Sequence, residues 1–170
     1  LNGGTLRAQR LYASTTAGTN LLFLNGGTVE AVNSRTDFMY NLTAARVQAG
    51  GAVFSVPAGV AVTAAQALTE DPASTGGGLT KSGAGRITFA GANTFTGDID
   101  VLAGDLFFSH TNGLPAGYAG TITLTNSADA AIGYAVAGGP ALLLARTDTA
   151  SKGALALFPA NAADAVDFST

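Results

Sequence analysis

A small-residue pair, usually Gly-Gly, followed closely by an apolar residue, recurs along this chain at nearly constant spacing. Asn2-Gly3-Gly4-Thr5-Leu6 is echoed by Asn25-Gly26-Gly27-Thr28-Val29, with Gly26 lying 23 residues after Gly3. Ala49-Gly50-Gly51-Ala52-Val53 follows 24 residues later; Gly77-Gly78-Leu79 and Ala103-Gly104-Asp105-Leu106 each come a further 27 on. Glycine enters φ > 0 without strain, so such a pair is a tight turn feeding a strand. A turn repeated at this period predicts a winding chain whose coils stack, each contributing short strands. The segments between turns alternate apolar and polar, as in Ile87-Thr88-Phe89 and Ile99-Asp100-Val101. That period of two belongs to half-buried strands rather than helices.

On this reading Leu6, Val29, Val53, Leu79, Ile87, Phe89, Val101 and Leu106 point inward and stack in columns. Coils spaced about 4.8 Å apart, roughly seven of them, would make a rod about 35 Å long. Two stretches break the rhythm. Thr36 to Ala45, with Phe38, Met39 and Leu42 behind a possible Asp37 cap, suggests a short helical turn on the flank. Ala141 to Arg146 suggests another, beyond the breaker Gly138-Gly139-Pro140, inside an irregular insertion at about 128–152. Strand-like alternation then returns at Gly153–Leu157 and Val166–Phe168.

Composition narrows the class. Only 11% of residues are charged, against 47% hydrophobic, so small polar residues carry most of the surface. The net charge is −3 and the basic residues are scattered singly, which leaves no electrostatic footprint for nucleic acid. With no cysteine there is neither a disulfide scaffold nor a thiolate metal site. No apolar run approaches the roughly 20 residues of a membrane-spanning helix.

Gly76 to Leu106, GGGLTKSGAGRITFAGANTFTGDIDVLAGDL, is the most signature-like passage. It resembles the autotransporter-associated β-strand repeat, also called the passenger-associated transport repeat, of bacterial proteins. Gly77-Gly78-Leu79-Thr80-Lys81, Gly91-Ala92-Asn93-Thr94-Phe95 and Ala103-Gly104-Asp105-Leu106 carry the likeness. Phe95 stands where the family usually has Tyr, and Asp98 and Asp100 where Gly or Thr is usual. The resemblance implies large secreted proteins of mostly structural role, exported unfolded and folding outside the cell coil upon coil.

Candidate chemistry is sparse. His110 is the only histidine, lies in the turn-like Phe108-Ser109-His110-Thr111-Asn112-Gly113, and has no Gly-x-Ser-x-Gly elbow to serve. Asp98 and Asp100 leave one face of a strand, opposite Ile99 and Val101. With Asp105 they form a candidate Ca²⁺ site or a carboxylate pair for glycan hydrolysis, weighed against solvated charges that keep a rod soluble. Lys81-Ser82 after Gly76-Gly77-Gly78 fails as a phosphate loop, because Thr80 precedes the lysine and a strand follows. Asn93 is read as a structural asparagine that satisfies backbone groups at a turn and stacks with a counterpart. Gly77, Gly78, Ile87, Phe89, Val101 and Leu106 are read as structural too.

The sequence therefore predicts an all-β, right-handed parallel β-helix (β-solenoid) with short helical insertions, spanning 1–170 as a single segment of a larger protein. The expected role is non-enzymatic and needs no cofactor: an extracellular or cell-surface stalk or adhesin. Rival expectations are a filament or lattice subunit built by end-to-end stacking, and a glycan-binding or glycan-degrading β-helix. Expected partners are further repeats of the same polypeptide or neighbouring copies, and surface glycans or host and neighbouring cells.

Overall fold

The computed structural model describes residues 1–15, 17–114, 118–125, 130–135, 141–146 and 155–157. Among these there is no helix. The chain is a β-solenoid whose first three coils each carry three strands: β1 (Thr5–Ala8), β2 (Leu11–Tyr12) and β3 (Leu21–Leu24); β4 (Thr28–Ala31), β5 (Arg35–Tyr40) and β6 (Ala44–Val47); β7 (Ala52–Ser55), β8 (Ala61–Ala64) and β9 (Leu68–Glu70). The next coils keep two sides, through β10 (Leu79–Ser82) and β11 (Arg86–Phe89), β12 (Ile99–Val101) and β13 (Asp105–Phe108), then β14 (Ile122–Leu124) and β15 (Ala131–Ala135).

Equivalent strands pair in parallel. One sheet runs β1-β4-β7-β10-β12-β14, a second runs from β2 through β5, β8, β11 and β13 to β15, and β3-β6-β9 form a third. Among the described residues the six rungs of the first sheet amount to about five turns, against the roughly seven expected of the whole chain. The parallel stack of the second sheet stops because β16 (Ala141–Arg146) and β17 (Leu155–Leu157) join it antiparallel.

Register explains the core. Leu6, Val29, Phe54, Lys81, Val101 and Leu124 are successive Cα partners in one column of the first sheet. Val62, Ile87, Leu106 and Ile132 make a column of the second, beside one that runs Ala64, Phe89, Phe108. Ile87, Phe89, Ile99, Val101 and Leu106 are fully buried. Phe89 meets Phe54 edge-on at 5.3 Å and stacks on Phe108 at 6.1 Å between ring centroids. Each fully buried side chain of this size contributes roughly 1.5–3 kcal/mol.

Several expectations are corrected. Val53 faces outward, and Ala52 and Phe54 face the core in its place. Leu6 occupies an inward column but stays exposed, since β4 covers it from one side only. The Ala103-Gly104 turn is not the next member of the Gly-Gly series: it leads into β13 of the second sheet. The coil after Leu79 restarts at Ile99, only 20 residues on, with no strand between β11 and β12. Thr36–Ala45 is not helical. It forms most of β5, a turn at Asn41 (φ 58°) and the start of β6. A register irregularity in β5 turns the consecutive Phe38 and Met39 both inward, and hydrogen-bonding partners on either side outweigh local preference. Ala141–Arg146 is β16 rather than a helix, and within the stretch read as an insertion β15 is a regular rung. Gly138-Gly139-Pro140 and Val166–Phe168 lie outside the described residues.

Two glycines show why the turns are small. A Cβ on Gly77 would run into the carbonyl oxygen of Gln48 in the preceding coil, and one on Gly78 into that of Asp98 in the following coil. The stacked turns therefore sit at backbone contact distance, which only glycine permits.

Candidate functional site

The most unusual side chain is Lys81. Alternation along β10 turns Leu79 and Lys81 inward, and Lys81 is completely buried between Phe54 and Val101. Its Nζ donates to the carbonyl oxygens of Ser82 (2.8 Å), Gly83 (2.6 Å) and Ala103 (3.0 Å), which matches the three donors of an ammonium group. Burial pushes its pKa down to about 8, offset in part by the Asp105 carboxylate. The cation thus ties the β10–β11 turn to the β12–β13 turn one coil on.

Asn93 does comparable work on the third side. It is buried at the corner where the third sheet ends. Its Oδ1 accepts from the Leu68 N–H (2.8 Å) in the preceding coil, and its Nδ2 donates to the Gly113 carbonyl (2.7 Å) in the following one. Main-chain groups, rather than a stacked asparagine, are its partners. Beside it Phe95 is fully buried against Tyr118, whose hydroxyl donates to the Gly97 carbonyl (2.7 Å). Burial and the carboxylates of Asp98 and Asp100 push the Tyr118 pKa up to about 12. An asparagine ladder does occur elsewhere, where Asn25 Nδ2 donates to Asn2 Oδ1 (3.0 Å).

The carboxylates proposed for Ca²⁺ do not converge. Asp98 accepts from the Thr121 N–H (2.7 Å) ahead of β12, whereas Asp105 on β13 is paired with Arg86 (2.7 Å) in the second sheet. Among the described residues no three His, Cys, Asp or Glu side chains form a group able to hold a metal ion. Asp98 and Asp100 instead border a small open groove of about 230 Å³ with Gly51, Gly78 and Thr80.

Residues 79–106 match the passenger-associated transport repeat. The match runs from the first residue of β10 to the second of β13. The transport repeat therefore contains both Lys81, with its Ala103 acceptor, and Asn93. No curated protein and no solved structure matches the chain.

Within the transport repeat every polar side chain aimed inward bonds to main chain of a neighbouring coil, which is the chemistry of a stack. His110, just beyond it, accepts the Asn112 N–H at its Nδ1 (2.9 Å) and so closes its own turn. Two features escaped the sequence reading. The inward Lys81 was signalled by its two-residue spacing from Leu79. The arginines that looked scattered are gathered by the coil period. Arg10 and Arg35, 25 residues apart, both pair with Asp37 (2.8 and 3.0 Å) on adjacent coils.

Proposed function

We propose that this segment is a non-enzymatic stalk of a bacterial surface protein, similar to an autotransporter passenger. The observation that carries the reading is continuity: the transport repeat is not an appendage but two consecutive rungs of sheets that begin three coils earlier. Its buried polar groups are spent on joining coil to coil, and it needs no disulfide, which suits a chain that folds after export. Stability then comes from nearest-neighbour coils, so length can grow by adding rungs.

The test uses the native organism. Antibody raised to this segment labels intact cells, and protease added outside removes the epitope without lysis. A segment reached only after lysis overturns the surface assignment. His110→Ala leaves its properties unchanged; turnover of a glycan that vanishes with this one change overturns the non-enzymatic reading.

A further inference from the structure

An open depression of about 630 Å³ lies on coils 1 to 3, away from the transport repeat. Arg10, Ser34, Arg35, Thr36 and Asp37 line it. Asp37 holds the two guanidinium groups together: Arg35 Nε and Nη2 approach its two oxygens at 3.0 and 3.4 Å, and Arg10 Nη2 lies 2.8 Å from Oδ2. A guanidinium has five N–H donors, so both arginines keep donors to spare, and the cluster retains one net positive charge. The surroundings reinforce it. Residues 1–47 carry four arginines against Glu30 and Asp37, whereas residues 48–125 carry Lys81 and Arg86 against five carboxylates.

We propose that this groove binds an acidic sugar, its carboxylate taken by Arg10 and Arg35 and its hydroxyls met by Asp37, Ser34 and Thr36. The planar fork of arginine suits a carboxylate. Asp37 restricts the site to a single negative charge: it would repel a polyphosphate, and it accepts hydrogen bonds from sugar hydroxyls. The hydroxyls of Ser34 and Thr36 add adaptable polar contacts. The site stands whether or not the solenoid is a stalk.

The experiment is calorimetric titration of the full 170-residue chain with a sialylated oligosaccharide and with an oligogalacturonate, which carry the carboxylate on different sugars. Their methyl esters and inorganic phosphate are the comparisons. At least one acid binds saturably, its ester binds at least tenfold more weakly, and Arg10→Gln and Arg35→Gln each weaken binding at least tenfold. Arg10 is an exposed side chain, so Arg10→Gln remains decisive if Arg35→Gln perturbs folding by circular dichroism. Absence of binding by both acids, equal binding by acid and ester, unchanged affinity in Arg10→Gln, or phosphate as tight as the sugars overturns the assignment.

Discussion

Lys81 and Val101 are Cα partners on adjacent strands of one sheet, both completely buried in one column, and one of them is a cation. The column tolerates it because the ammonium reaches past the rung to the Ala103 carbonyl, two residues beyond Val101 (3.0 Å). Lys81→Met fills nearly the same volume without the charge. Removing a buried cation relieves desolvation, which alone can make such an exchange neutral or favourable. Here the exchange also strips a donor from three carbonyls. Ser82 keeps the Val56 N–H, so the loss falls mainly on Gly83 and Ala103. An orphaned buried acceptor costs about 1–3 kcal/mol. We expect Lys81→Met to unfold at lower urea than the parent, by about 1–3 kcal/mol. A variant as stable as the parent would mean that the ammonium contributes only volume.

The same residue sets the alkaline limb of stability. Its folded pKa of about 8 lies below the ordinary 10.5, so between those values the unfolded chain binds more protons than the folded one. Stability then rises with pH, by at most about 1.4 kcal/mol per pH unit. Tyr118 acts in the opposite sense. Its pKa is raised from 10 to about 12, so above pH 10 the unfolded chain ionises first and stability falls. Urea midpoints measured across pH 7 to 12 should pass through a maximum near pH 10. Lys81→Met should abolish the rise, and Tyr118→Phe should soften the fall.

Much of this architecture was legible, and the reason is the repeat. A glycine pair every 23 to 27 residues and a period of two between them identify the coil, and Ile87, Phe89, Ile99 and Val101 follow from that period. What escaped notice depends on the register between coils, which a single strand does not encode. Val53 and Phe54 are equally apolar, and only pairing of Phe54 with Val29 and Lys81 decides which faces in. The helix expected at Thr36–Ala45 failed because Phe38 and Met39 share an inward face only through a bulge. The Arg10–Asp37–Arg35 cluster joins residues one coil apart, invisible without knowing that coil's length.

On the acid side, Asp71 and Glu70 hold the corner after β9. Asp71 is nearly buried, and its carboxyl is kept below the ordinary range by hydrogen bonds from Gln48 (2.7 Å) and the Ala73 N–H (3.1 Å), with Arg46 at 3.5 Å. Glu70 is held low by the Gly76 N–H (2.8 Å) and the Thr96 hydroxyl (2.5 Å). Lowered carboxyl pKa values stabilise the fold above the ordinary values of 3.8 and 4.5, and that contribution is lost as pH falls through the folded ones. Asp71→Asn should therefore flatten the loss of stability between pH 5 and pH 2 on thermal melts. An unchanged acid limb would show that this corner does not govern it.

Phe89 tests the core directly. Phe89→Asp removes an aromatic ring that touches both Phe54 and Phe108 and leaves an unpaired charge in its place. Losing the ring alone costs about 3–5 kcal/mol, so the variant should show no cooperative melt. Thr88→Asp, one residue earlier on the outward side of β11, should stay within about 0.5 kcal/mol of the parent. Equal effects at the two positions would refute the inward column.

Taken as the isolated 170 residues, the first coil has a neighbouring coil on one side only. Among the described residues β1, β2 and β3 pair with β4, β5 and β6 on one side and with no strand on the other, which leaves that side's N–H and C=O groups without a ladder. Leu6, Leu21 and Phe23 on this coil are each more than a third exposed. An edge with apolar side chains invites pairing with another chain, and natural sheets blunt such edges with charge, most often lysine. On β3, which includes Leu21 and Phe23, there is no charged residue at all. The 170-residue chain should therefore associate in solution, with a sedimentation coefficient that rises with protein concentration. Leu21→Lys combined with Phe23→Lys should return it to a monomer, because both side chains are already largely outside the core and β6 still pairs on the inner side. A parent chain that stays monomeric at high concentration, with the first-coil amides slow to exchange, would show that this edge is protected without a partner.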